Sequence, residues 1–180
     1  MEIREATAAE LAEIGEIRVG AYLAGGFLRA DSGYATTLRS LGADGAGVVL
    51  VAVEPGDELA AGPSGAAADG SQAGRDRIVG TIMFQAWPQA GEIVAGPHEA
   101  EIRALAVRPL AQGSGVGRAL VQAVIERAAK AGVTHLVLST APEMRAAHRI
   151  YERAGFARLP DRDWSPAPGA LLLAYGLRLG

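Results

Sequence analysis

Strand-like and helix-like segments alternate along this chain, and that order predicts a mixed α/β fold. Two observations carry it. Ile102 to Val107 reads as an apolar strand, glycines follow at 113, 115 and 117, and Leu120, Val121, Val124, Ile125 and Ala128 recur at helical spacing. On either side, apolar runs at Val48–Glu54 and Thr134–Thr140 read as buried strands, among segments that open with helix-capping patterns.

In order, Glu2 to Ala6 reads as a first strand. Thr7-Ala8-Ala9-Glu10 fits a capping box, so a helix should begin near Ala8. Leu11, Ile14 and Ile17 or Arg18 give its face, and Gly25-Gly26 stops it. Ser32 could cap a second helix with Tyr34, Thr37, Leu38 and Leu41. Val48–Glu54 and Arg77–Trp87 read as a strand and its return. The stretch from Pro55 to about Asp76 is rich in Gly, Ala, Ser and Pro without a period. It offers too little apolar surface to offset its ordering entropy. It is expected to be a long flexible hairpin loop inside one domain spanning residues 1–180.

Pro88 to Pro97 reads as a second loop. The helix from Arg118 to Lys130 should end at Gly132, in a left-handed cap. Thr140-Ala141-Pro142-Glu143 is another capping box, opening a helix through Met144, Ala147, His148 and Tyr151 to Gly155. Phe156–Leu159 and Leu171–Leu179 look like closing strands.

Composition excludes several classes. A net charge of −3 argues against nucleic acid, whose binders carry a basic stripe. With no cysteine, disulfides, thiolate metal sites and a cysteine nucleophile are ruled out. His98 and His135 show no ligand spacing, so no metal is expected. The acidic start MEIREATAAE is no signal peptide, and no apolar run approaches membrane-spanning length. A cytoplasmic protein without membrane contact is the expectation.

A strand, a glycine loop and a helix start together point free N–H groups and a helix dipole at one spot. Three glycines at alternate positions exceed what a plain helix-capping turn needs. A Walker A loop fails, because no Lys-Ser or Lys-Thr follows them. GxGxxG fails too, because its third glycine would fall on Arg118 or Leu120. What remains is Gln112-Gly113-Ser114-Gly115-Val116-Gly117 after Val107-Arg108-Pro109 and before Arg118. It resembles the acetyl-coenzyme A pyrophosphate loop, R/Q-x-x-G-x-G/A, of the GCN5-related N-acetyltransferases.

Met144-x-x-Ala147-x-x-x-Tyr151-x-x-x-Gly155-Phe156 resembles that family's second pattern, N-x-x-A-x-x-x-Y-x-x-x-G-F. Met144 stands where the pattern has asparagine, which removes one amide contact to pantetheine. The resemblance implies a central twisted sheet flanked by helices and acetyl-CoA as cosubstrate. It implies cofactor contacts at Leu105, Ala106, Val107, Gln112 to Arg118, Met144, Ala147 and His148, although a structural role suits His148 as well.

The implied reaction is direct transfer to a primary amine through a tetrahedral oxyanion, on a chain that could form a homodimer. A splayed strand at Leu105 to Val107 would supply an N–H to the oxyanion. Tyr151 would meet the thioester sulfur. Strand alternation puts Glu101, Arg103, Leu105 and Val107 on one face. Glu101 is the candidate base, with Glu99 and His98 behind it; Glu101 could equally be a solvated ion pair with Arg103. Tyr22, Phe27, Asp31 and Tyr34 could line the acceptor wall or simply be core. The acidic balance favours a cationic acceptor, small molecule or peptide. A different class, an acyl-CoA-sensing module without catalysis, fits the same motifs.

Overall fold

The structure, a computed structural model, describes residues 1–29, 32–56, 76–91 and 93–180. Most of the expected 55–76 loop, and Asp31, lie outside them.

The chain opens with β1 (Glu2–Glu5). In the capping box, Glu10 accepts the Thr7 N–H at 2.7 Å and the Thr7 hydroxyl at 3.0 Å. One 3-10 turn leads into α1 (Leu11–Ala24), which ends at Gly25-Gly26, Gly26 being left-handed at φ +72°. The short α2 (Tyr34–Ser40) follows, with the Ser32 hydroxyl accepting the Tyr34 N–H at 3.2 Å. Then come β2 (Val48–Glu54), β3 (Arg77–Ala86) and β4 (Glu99–Val107). The glycine loop leads into α3 (Val116–Lys130), which starts two residues before the expected Arg118. β5 (His135–Thr140) and α4 (Arg145–Arg153) follow. The closing segment is β6 (Ala157–Arg158), β7 (Trp164–Ala167) and β8 (Ala170–Arg178). β7 is an addition to the two strands expected there.

The strands form one sheet in the order β1-β2-β3-β4-β5-β8-β6, with β7 on β8. β4 and β5 run parallel, and their pairing stops at Ile102 opposite Leu138. Beyond that point β4 continues to Val107 with no strand on its β5 side among the described residues, so the sheet opens into a wedge.

β4 is bulged where the wedge opens. Thr81 pairs with Ala106 and Met83 with Arg103, so Ala104 and Leu105 together oppose Ile82. Ala104 takes a positive φ of 50°, a sparsely occupied conformation for a residue with a Cβ. The bulge resets the alternation. Ala100 and Ile102 join the α3-side core with Leu120, Val121 and Val124, and Leu105 and Val107 pack on that same side. Ala106 packs with Ile14 and Ile17 of α1, and Ala104 with Val19 and Leu38. Glu101 and Arg103 therefore do not share a face with Leu105 and Val107; the straight-strand expectation is corrected here. Glu101 and Arg103 face α1 and α2.

Candidate active site

Gly113 and Gly115 both lie in the left-handed region, at φ +83° and +94°, with open space where a Cβ would stand. A side chain there would be strained by backbone alone. Gly115 caps α3, so the N–H groups of Val116, Gly117 and Arg118 have no partner within the helix. Ser114 donates to the Ala111 carbonyl at 2.7 Å, and Gln112 to the Val107 carbonyl at 3.2 Å, which tie the loop to its base. Val116 is buried in the core, so only its backbone is available.

The loop forms one end of a cleft of about 690 Å³. Its walls are Leu105, Ala106 and Val107 of the wedge, residues 112–115, Gly117 and Arg118 of the loop, Met144 and Ala147 at α4, and Tyr22 and Phe27. The Arg108 N–H reaches the Val79 carbonyl on β3 at 2.8 Å, so antiparallel alternation turns the Val107 N–H the other way, into the wedge.

The α4 stripe is rotated from the expected one. Met144 and Ala147 face the cleft together with Ile150 and Arg153, which the sequence reading missed although they continue the same three-residue step. His148 lies outside the lining. Its Nε2 donates to the Ala141 carbonyl at 3.0 Å and its ring lies 5.5 Å from that of Tyr175.

Tyr151 also lies outside the lining, packed 5.9 Å from Phe156 and 6.4 Å from Tyr175 between ring centroids. It is 6 % exposed. Burial pushes its phenol up, so the oxygen holds its proton.

Tyr22 is half-buried, and burial pushes its phenol up as well. Its ring lies 6.5 Å from Phe27, edge-on, and 6.4 Å from Tyr34. Phe27 and Tyr34 are exposed, so these aromatics form a wall with an open face, of which Tyr34 stands outside the cleft proper.

Glu101 is buried on β4, opposite Gln85, and accepts the Gly91 N–H at 2.8 Å. Arg103 donates to the Gln85 side chain at 3.1 Å. Glu99, the fallback base, is engaged elsewhere. It meets His135 Nδ1 at 2.7 Å, accepts two bonds from Arg162 at 2.8 and 2.9 Å, and accepts the Ala95 N–H at 2.7 Å. Burial raises its carboxyl, but the bonds from Arg162, Ala95 and His135 outweigh that and hold it at about 2. It is a structural anion and too weak a base for an ammonium.

A model of the acetyltransferase (GNAT) family matches residues 52–156. Mycothiol acetyltransferase of Kocuria rhizophila is 36 % identical over 83 residues, covering 46 % of this chain and 26 % of that protein. The Geodermatophilus obscurus mycothiol acetyltransferase is 33 % identical over 94 residues, covering 51 % of this chain and 30 % of its own. The chain thus spans under a third of the length of these curated relatives. Among solved structures, a GNAT-family acetyltransferase from Staphylococcus aureus Mu50 superposes with a TM-score of 0.70 at 16 % identity, over 99 % of both chains. A Salmonella typhimurium structure solved with its cofactor acetyl-CoA gives a TM-score of 0.61 at 21 % identity, over 100 % of this chain and 94 % of its own. The family match takes in β3 through α4, which carry the glycine loop and most of the cleft walls, and the structural neighbours share the fold over nearly the whole length: the chain belongs to the acetyltransferase (GNAT) family.

Proposed function

We propose that this chain moves the acetyl group of acetyl-CoA to a primary amine by direct transfer. One observation carries it: the left-handed glycine loop, the unpaired edge of β4 and the aromatic wall all open on a single cleft. The residues suit a CoA thioester. Open space beside Gly113 and Gly115 and the free N–H groups of α3 suit a pyrophosphate. Met144, Ala147 and Ile150 offer an apolar wall to the pantetheine arm. The β4 edge from Leu105 to Val107 presents the N–H that an oxyanion needs.

Glu101 receives the amine's proton, directly or through water, since an ammonium near pKa ~10.4 cannot attack. Tyr151 donates to the leaving sulfur. A tyrosine near ~10 lies about 1.5 units above a thiol near ~8.5, so full proton transfer is uphill by roughly 2 kcal/mol. Burial widens that gap, so Tyr151 acts as a hydrogen-bond donor that keeps its proton until late. The names of the curated relatives support acetyl transfer.

Incubation with acetyl-labelled CoA and a panel of amines tests this. Label on an amine, with one CoA released per transfer, is expected. CoA binding with no transfer to any acceptor would instead support the sensing module.

A further inference from the structure

Arg18 is fully buried between α1 and α2. Its Nη1 donates to the Leu38 and Leu41 carbonyls at 3.3 and 2.7 Å, while Nε and Nη2 are sealed with no hydrogen-bond partner among the described residues. Among the described residues, no Asp or Glu acts on its charge. Burial of this kind is costly when no anion compensates it. It also lowers the Arg18 guanidinium to about 10, with Arg103 adding a smaller repulsion.

Arg18 stands one helical turn before Tyr22, so it underlies the aromatic wall. Arg103 faces the same side from β4, half-buried, and Gln85, a neutral amide, is its hydrogen-bond partner. Two residues along the strand on that face is Glu101. Near the exposed Tyr34 of the aromatic wall, on the α1 and α2 side of β4 and outside the cleft lining, two guanidinium groups therefore stand close to one carboxylate.

We propose that the acceptor is zwitterionic, an amine carrying its own carboxylate in the manner of an α-amino acid. Arg103 holds the carboxylate, Arg18 reinforces it from beneath the wall, and Glu101 takes the ammonium. The local charge pattern thereby overrides the cationic preference expected from the net charge of −3. This inference rests on the acetyl-transfer reading and goes further by naming the substrate class.

Calorimetry on the CoA-loaded protein tests it without requiring turnover. The probes are pairs that differ by one carboxylate: phenylalanine with phenethylamine, histidine with histamine, serine with ethanolamine. In at least one pair the amino acid is expected to bind about ten-fold or more tightly than its amine. Arg103→Gln should erase that difference, Arg103→Lys should restore part of it, and CoA affinity should be the same in both. Amines binding as well as their amino acids, or no member of any pair binding to CoA-loaded protein, would overturn the proposal. Failure of the wild-type chain to bind CoA would instead remove the acetyl-transfer reading, and this inference with it.

Discussion

Gly117 and Ile150 meet where α3 and α4 close on the cleft: a Cβ on Gly117 would stand 2.9 Å from Ile150 Cδ1. Glycine at 117 thus sets how closely the two helices approach, as well as leaving room for a phosphate.

Gly117→Ala should push against Ile150. The expected cost is about 1–3 kcal/mol of stability, with weaker CoA binding, because α4 forms the opposite wall. Ile150→Val in the same chain removes Cδ1 and should recover much of both. Melting curves and CoA titrations of the single and double variants measure this. Full wild-type behaviour of the single variant would mean the contact relaxes freely.

Glu99 makes a pH-dependent contribution. Its carboxyl is held at about 2 in the folded chain, below its ordinary 4.5. The stability it supplies is present above about 4.5 and is lost as pH falls through about 2. Its side chain is only 12 % exposed, so solvent screening discounts it little. A shift of this size corresponds to roughly 3 kcal/mol. Glu99→Gln should lower the melting temperature at neutral pH, and the gap from wild type should shrink between about 4.5 and about 2. A gap independent of pH would show that the Arg162 and His135 bonds do not depend on the charge.

Much of the site was legible because its signals are local. The three glycines, the Thr7-to-Glu10 box and the Gly25-Gly26 stop act within a few residues, and each stands where the sequence put it. The bulge was not legible. Ala104 and Leu105 oppose one residue of β3 because of the sheet's register, which no pattern within β4 records. Straight alternation therefore put Glu101 and Leu105 on one face. Likewise His148 and Tyr151 share a helical stripe with Met144 on paper, but Tyr175 on β8 draws both rings toward the sheet. The helical period allows Arg18 on the core face of α1, but the carbonyls it meets there belong to α2 and the residue after it, which no pattern within α1 records. β7 carries Pro166 and has few apolar residues, so nothing in it signals a strand.

For Glu101→Gln, a loss in kcat/KM with an altered acidic limb of the pH–rate profile is expected. CoA affinity should hold, because Glu101 lies across β4 from the glycine loop. An unchanged profile at full activity would remove Glu101 from the proton path.

Tyr151→Phe should lower kcat by about 10²-fold, at the low end of general-acid effects, and leave acetyl-CoA binding nearly unchanged. Its packing against Phe156 and Tyr175 is kept by phenylalanine, so melting temperature should move little. Near-normal turnover would assign Tyr151 to the core alone, in which case Tyr151→Ala would unfold the chain without revealing chemistry.

Acetyl-CoA titration of the wild type and of Gly115→Val by calorimetry bears most directly on the cleft as the coenzyme site. Gly115 sits at φ +94° with nothing near its Cβ position, so valine strains the loop by about 1–2 kcal/mol and reaches into the space assigned to the pyrophosphate. The wild type should bind one equivalent, and the variant should bind at least about ten-fold more weakly while still melting cooperatively. Equal affinity in a folded variant would contradict the assignment and move the phosphates to another part of the molecule.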